Sequence, residues 1–271
     1  MFDSLSTTQP RSKGAAVLSA KRRGKASVID TLHQSGCMRV LFPRSAGALD
    51  AVLINTSGGV TGGDRIAIRA RVGQGCALSL TTQAAERAYR AQPFETGRIS
   101  TDISVDDDAM LAWLPQELIL YDGCDLDRSL NVALAPSATA LLVETVAFGR
   151  MAMGETLDSI RFRDRISIHR NGRPIYLDGV TFAGNGSEKL AQGAVAQGAN
   201  AMASIVYAAP DAEGHLGAVR SHLPQFGGAS LLAKGLLVVR IVARDTYVLR
   251  QSLIPILERL SKAPLPKSWR L

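Results

Sequence analysis

Three stretches set carboxylates among amides, hydroxyls and guanidinium groups inside otherwise apolar sequence. They are Thr81-Thr82-Gln83-Ala84-Ala85-Glu86-Arg87-Ala88-Tyr89-Arg90, the run from Trp113 through Gln116 and Glu117 to Tyr121-Asp122-Gly123, and the run from Glu144 through Phe148-Gly149-Arg150 to Gly154-Glu155. A carboxylate taken out of water needs a partner, and Arg87, Arg90 and Arg150 stand close by in the chain. Two chemistries suit these blocks. One is a set of ion pairs that fixes the register of a sheet. The other is a polar passage whose oxygen and amide ligands hold a divalent ion loosely.

Other catalytic patterns are missing. His33, His169, His215 and His222 are scattered, and neither an HExxH nor a GxSxG motif occurs. Cys37, Cys76 and Cys124 are odd in number and show no CxxC spacing, which argues against a disulfide framework and for a reducing compartment. The segment Asn55-Thr56-Ser57-Gly58-Gly59-Val60-Thr61-Gly62-Gly63-Asp64-Arg65 has P-loop spacing between Gly58 and Gly63. Asp64 and Arg65 follow, where a P-loop needs Lys and then Ser or Thr. A carboxylate there would repel phosphate, so the glycines read as a tight turn or a phosphate-free close approach of two backbones.

These residues need strands to position them. Ile66, Ile68, Ala70 and Val72 oppose Arg65, Arg69 and Arg71; Ile99, Thr101, Ile103 and Val105 oppose Arg98, Ser100, Asp102 and Ser104; Ile160, Phe162, Ile166 and Ile168 oppose Arg161, Arg163, Arg165 and His169. Such period-two alternation describes strands with one buried and one wet face. Further strands are expected at 26–33, 37–42, 76–82, 110–120, 126–134, 138–147, 173–182, 201–208 and 236–243, which makes the fold mainly β. Residues 186–200 read as a short helix or an irregular crossover. Residues 245–261 read as a helix with an apolar face, kinked or divided at Pro255. The Ser-, Thr- and Pro-rich residues 1–13 read as a flexible tail, and 14–271 as a single domain ending in a helix and tail over 245–271. The terminal segment holding Leu265, Trp269 and Arg270 is expected either to dock a partner or to fold back through Trp269 onto the body.

Apolar residues make up 46% of the 271 and charged residues 20%, an ordinary globular balance. The net charge of +7 admits acidic partners, but without a Lys/Arg run or abundant aromatics a nucleic-acid reader is disfavoured. No segment approaches the roughly 18 apolar residues of a membrane span, and the chain reads as cytoplasmic.

The blocks resemble, in order, the motifs of the urease accessory protein UreD (UreH) family. Gly58-Gly59-Val60-Thr61-Gly62-Gly63-Asp64 is similar to its glycine signature, and the three carboxylate blocks to its next three motifs. Leu265-Pro266-Lys267-Ser268-Trp269-Arg270 is similar to its C-terminal end. Asn55-Thr56-Ser57 departs from it, since many members carry prolines there. The resemblance implies an extended, stacked, β-helix-like body with a few helices. It implies a non-enzymatic chaperone that meets apo-urease, a UreF-like protein and a UreG-like GTPase, in a 2:2 heteromeric assembly, with no nucleic acid or membrane. Nickel(II) would be a transient cargo rather than a tightly bound cofactor. On this reading Asp64, Glu86, Gln116, Glu117, Glu144 and Glu155 would line the nickel passage. Gly58, Gly59, Gly62, Gly63, Arg87, Tyr89 and Arg150 would be structural, and Leu265, Trp269 and Arg270 would contact the UreF-like partner. The arginine faces over 65–71 and 161–165 could meet an acidic surface or simply be solvated. Two other classes stay open on the residues alone: a β-rich enzyme using Asp64, Glu117 or Glu144 as acid and base, and a basic nucleic-acid binder.

Overall fold

The computed structural model describes residues 9–44 and 48–269. The chain opens with β1 (Lys13–Arg23), β2 (Ala26–Gly36), β3 (Met38–Leu41) and β4 (Leu49–Asn55). It then winds through β5 (Arg65–Val72), β6 (Ala77–Thr82), β7 (Glu86–Ala88), β8 (Gly97–Val105), β9 (Met110–Leu114), β10 (Leu118–Leu120), β11 (Asp125–Leu134), β12 (Thr139–Phe148) and β13 (Ile160–Arg170). β14 (Arg173–Gly184), α1 (Gly186–Ala191), β15 (Ala201–Ala208), α2 (Ala212–Ser221), β16 (Gly227–Ala233), β17 (Leu236–Ala243) and α3 (Thr246–Leu260) complete it.

The winding is a β-solenoid. β1, β5, β8, β11 and β13 lie parallel in that order in one sheet, with β2 and β14 as antiparallel edges. β4, β6, β9 and β12 lie parallel in the second sheet, which β3 extends at one side and β15, β17 and β16 at the other. β7, β10 and the end of β12 form a narrow third wall. Each coil passes through the second sheet, this wall and the first sheet, then rises by one strand. The mainly β body expected from the alternation, stacked as the family resemblance implies, is the fold that forms.

Burial follows the alternation. Ile66, Ile68, Ile99, Ile103, Leu126, Leu130, Phe162 and Ile168 point inward and meet Leu78, Leu80, Leu111 and Trp113 of the facing sheet. A second core lies on the other side of the second sheet. There Leu249, Leu253, Ile256, Leu257 and Leu260 of α3, with Val219 of α2, cover Val143, Ile205 and Ile241. Burying an aliphatic side chain contributes about 1.5–3 kcal/mol, so this outer layer stabilises β15 to β17 as well as the helices.

Several expectations need correcting. The stretch 110–120 is two strands, because Pro115 has no N–H for the ladder and the chain turns there into the third wall. Pro255 divides nothing: α3 runs through it as one helix, held by its buried face. Both readings of 186–200 hold in part, since α1 ends at Ala191 and turns carry the chain to β15. The Gly-containing stretch holding His215 is a helix, α2, which packs on β16, β17 and α3. Within the expected tail, residues 1–8 lie outside the described residues, Arg11 pairs with Glu95, and Lys13 already opens β1.

The glycine segment is where the first coil crosses the third wall. Val60 N–H donates to Arg87 O at 2.7 Å and Tyr89 N–H donates to Val60 O at 2.8 Å. That approach leaves no room at Gly59, where a Cβ would lie 2.8 Å from Arg87 O and overlap the Tyr89 ring. Gly63 has φ +82°, a conformation suited to glycine. Gly59→Ala is expected to lower stability by about 1–3 kcal/mol, as overpacking does, read as a shift of the urea midpoint at constant slope.

Candidate functional site

The alternation that builds the walls also places polar groups inside them. On β11, Arg128 occupies the inward parity between Leu126 and Leu130; on β13, Asp164 does so between Phe162 and Ile166. Register sets the two side by side. Arg128 donates from Nε to Asp164 Oδ1 at 3.0 Å and from Nη2 to Oδ2 at 2.6 Å, a bidentate pair. From the facing sheet, Glu144 of β12 brings Oε2 within 2.6 Å of Arg128 Nη1. That contact is a close charge pair without hydrogen-bond geometry, so Oε2 keeps no hydrogen-bond partner. Glu144 Oε1 accepts from Trp113 Nε1 at 2.8 Å.

One cation therefore serves two buried carboxylates. Burial works against the Arg128 charge, but Asp164 and Glu144 outweigh it and keep the guanidinium protonated. Burial pushes the Glu144 carboxyl upward, Arg128 resists the shift, and the Asp164 charge adds to it.

Beside this cluster, between the sheets, lies a cavity of about 180 Å³ lined by Glu144, Arg128, Trp113, Gln116, Glu86 and Asn55 among others. Glu86 is held by Asn55 Nδ2, which donates to its two oxygens at 3.3 and 3.2 Å, and by the Arg87 N–H at 3.2 Å. Burial still raises its pKa, against those hydrogen bonds. Gln116 is fixed by the bond from its N–H to Thr82 Oγ1 and by Arg250 Nη1, which donates to Oε1 at 3.0 Å; its Nε2 is buried without a partner. The cavity thus has oxygen donors and an unused amide, and it is polar enough for water.

Of the six residues expected to line a passage, Glu86, Gln116 and Glu144 come together here. The other three stand elsewhere. Asp64 ties the glycine turn, accepting from Ser12 N–H at 2.7 Å and Thr61 N–H at 2.9 Å. Glu117 lies toward Arg250, 3.6 Å from its Nη1, and its backbone O accepts from Glu86 N–H. Glu155 closes the loop after β12, accepting from Arg150 N–H at 2.9 Å and from Arg150 Nε and Nη2 at 3.0 Å. Those bonds hold its pKa below the usual value. Arg150 in turn stacks 4.3 Å from the Tyr121 ring centre, and Tyr121 meets Tyr89 edge-on. Tyr89 Oη donates to Gly58 O, while Gly62 leaves space for Glu95 and Ala91. These residues brace the turns that stack at the third wall.

The C-terminal segment takes the folded-back course. Trp269 is 1% exposed; its Nε1 donates to Leu114 O at 2.9 Å, and Arg250 lies 4.9 Å from its ring centre while donating to its carbonyl. Leu265 is buried in the same layer. As folded, neither side chain is free to meet a partner; Arg270 lies outside the described residues. Arg250 thereby links the tail to the cavity-lining Gln116.

Arg128, Asp164 and Asn55 were missed as site residues. For the first two the signal was a charge at an apolar parity position. Asn55 had no such signal, and it lies in the stretch that departs from the family pattern.

The fold defines a β-solenoid scaffold with a cavity of mixed polar and apolar lining between its sheets; among the described residues there is no grouping of three or more His, Cys, Asp or Glu that could hold a metal ion. The family model described as "UreD urease accessory protein" matches residues 12–270, so the chain belongs to that family. It is 51% identical over 94% of its length to the urease accessory protein UreD of Ruegeria pomeroyi, covering 99% of that protein. Identity is 49% to the Roseobacter denitrificans protein of that name and 42% to that of Sinorhizobium medicae, each aligned over 96% or more of both chains. The family is one of accessory proteins, not enzymes. No helix among the described residues is long and apolar enough to cross a membrane.

Arg128→Met would strand two buried carboxylates, a change that costs about 3–5 kcal/mol. Burial raises the Glu144 pKa and Arg128 opposes that rise, so without Arg128 the folded state binds more protons there and stability returns as pH falls. Urea unfolding of this variant at pH 7.5 and 5.5 should show the larger deficit at the higher pH. Trp269→Ala should cost about 3–5 kcal/mol, measured the same way; a cost near zero would mean that the tail is not packed in solution.

Proposed function

We propose that this chain is a maturation scaffold through which nickel(II) reaches apo-urease, working with a UreF-like protein and a UreG-like GTPase in a 2:2 assembly. Family membership supports the urease connection. The observation that carries the nickel part is the cavity, where Glu86 and Glu144 supply hard oxygen ligands and the lining holds neither cysteine nor histidine. Such ligands hold a borderline divalent ion weakly, which suits transfer better than storage. Arg128 competes with any cation at Glu144, and this weakens retention further.

On this reading nickel enters among the polar groups near Glu86 and Gln116, and Glu144 takes it deeper between the sheets. Because burial raises the pKa of both glutamates, acidification removes their charge earlier than it would for exposed glutamates. Glu86→Gln combined with Glu144→Gln keeps size and the oxygen that Trp113 needs. Co-expressed with urease and its accessory proteins, this variant should assemble normally yet leave urease with about a tenth or less of its nickel and activity, a loss equivalent to about 1.4 kcal/mol or more. An unchanged melting temperature would separate this from misfolding. Full nickel loading by a folded, assembled double variant would refute the cavity as the route.

A further inference from the structure

The seven-stranded sheet turns one face into the solenoid, while among the described residues no helix covers the other. On that outer face the register lines up Lys13 with Arg65, Arg65 with Arg98, Arg98 with Asp127, and Asp127 with Arg163. Parallel neighbours lie about 4.8 Å apart, so this row spans about 19 Å across five strands. All four cations are exposed, and among the described residues none has an ion pair or side-chain hydrogen bond. Like charges directly opposite one another destabilise a sheet, and folding alone does not require three in succession.

The acids on this face are already engaged. Asp127 accepts from Arg165 Nη2 at 2.7 Å, Asp125 from Arg161 Nε at 2.7 Å, and Asp102 from Asn131 Nδ2 at 2.9 Å. What is left uncompensated is positive. The adjoining row, Ala15, Ala67, Ser100 and Ser129, is made of short side chains until it ends on Arg165. Lys13, Arg65 and Arg98 therefore stand clear of that row on an exposed sheet face.

We infer that this row docks an acidic protein surface. Carboxylates match guanidinium groups in bidentate geometry, and a broad exposed sheet face suits another folded surface. Nucleic acid fits less well. No Phe, Tyr or Trp points outward from this sheet among the described residues to stack on bases, and Asp102, Asp125 and Asp127 lie among the cations. The choice of probe, apo-urease, rests on the proposed role in urease maturation.

The test is Arg65→Glu with Arg98→Glu and Arg163→Glu, three exposed and unpaired positions. Arg23→Glu with Lys25→Glu and Arg173→Glu, at the turns at the far end of the same sheet, makes the same change in net charge. Binding to purified apo-urease is measured at about 50 and 300 mM NaCl, with melting temperatures to confirm folding and urease activation scored in cells. The unmodified chain should bind more weakly at high salt; the row variant should bind at least about tenfold more weakly at low salt, and the far-end variant about as the unmodified chain does. Equal binding by the row variant overturns the proposal. So does loss confined to a duplex DNA probe or to phosphatidylserine vesicles, with apo-urease binding intact. Should the unmodified chain activate urease without binding apo-urease, docking fails while the maturation role stands. If it neither activates nor binds, both fail.

Discussion

A guanidinium shut away from water joins the two walls of the solenoid. Arg128 forms a fork with Asp164 beside it and meets Glu144 from across the interior. Such a cluster is not favoured simply for being buried, since desolvation offsets much of the Coulomb gain. Its effect is on specificity. Sliding β13 against β11 by one residue would turn Asp164 out to solvent and leave Arg128 with Glu144 as its single buried counter-charge. The register of two parallel strands and the approach of the second sheet are thus set by one side chain. Parallel coils have no tight hairpins to set them, so a buried pairing of this kind is valuable here.

The cavity follows from the same cluster. A core of leucine and isoleucine closes on itself to crystal-like density. Charged groups with fixed partners do not collapse in that way, and the space next to Glu144 stays open and polar. Glu86 and Gln116 join it because the third wall turns the chain at Pro115 and before β7, where side chains leave the apolar layer. The outer layer also reaches in. Arg250 on α3 holds the Gln116 carbonyl while it stacks on Trp269. The tail, the helix and the cavity wall are therefore one connected structure rather than a body with an appendage.

Much of this could be read from the chain before its fold was known. Period-two alternation located β5, β8 and β13, because each has one face in a core and one in water; β12, covered on both faces, is buried almost throughout. Residues that break the alternation carried the rest, and they were harder to read. Asp164 sits in the very parity that Ile160, Phe162, Ile166 and Ile168 define, and Arg128 sits among leucines. Neither announces its partner, because the pairing is made between coils. Asp64, Glu117 and Glu155 looked like Glu86 and Glu144 in sequence. Their different surroundings come from backbone N–H groups and arginines that reach them only after folding. The helix at Ala212–Ser221 was passed over for a related reason: its glycines weaken local propensity, and packing on β16, β17 and α3 supplies what the sequence alone lacks.

On the proposed nickel route, Arg128 would compete with a metal ion for Glu144, and this would govern transfer. If Glu144 faced an empty apolar pocket, its ionised form would be costly, and an arriving divalent cation would be held tightly as the only available partner. With Arg128 in place the carboxylate already has a compensating charge, so a cation gains only the difference between the two interactions. Asp164 prevents the opposite failure. By engaging Arg128 through two hydrogen bonds it fixes the guanidinium on the first sheet, with Nη1 facing Glu144 Oε2 at 2.6 Å as a charge pair. The donor toward the cavity is then neither saturated nor unopposed. That intermediate condition is what a group needs if it is to accept an ion and also release it.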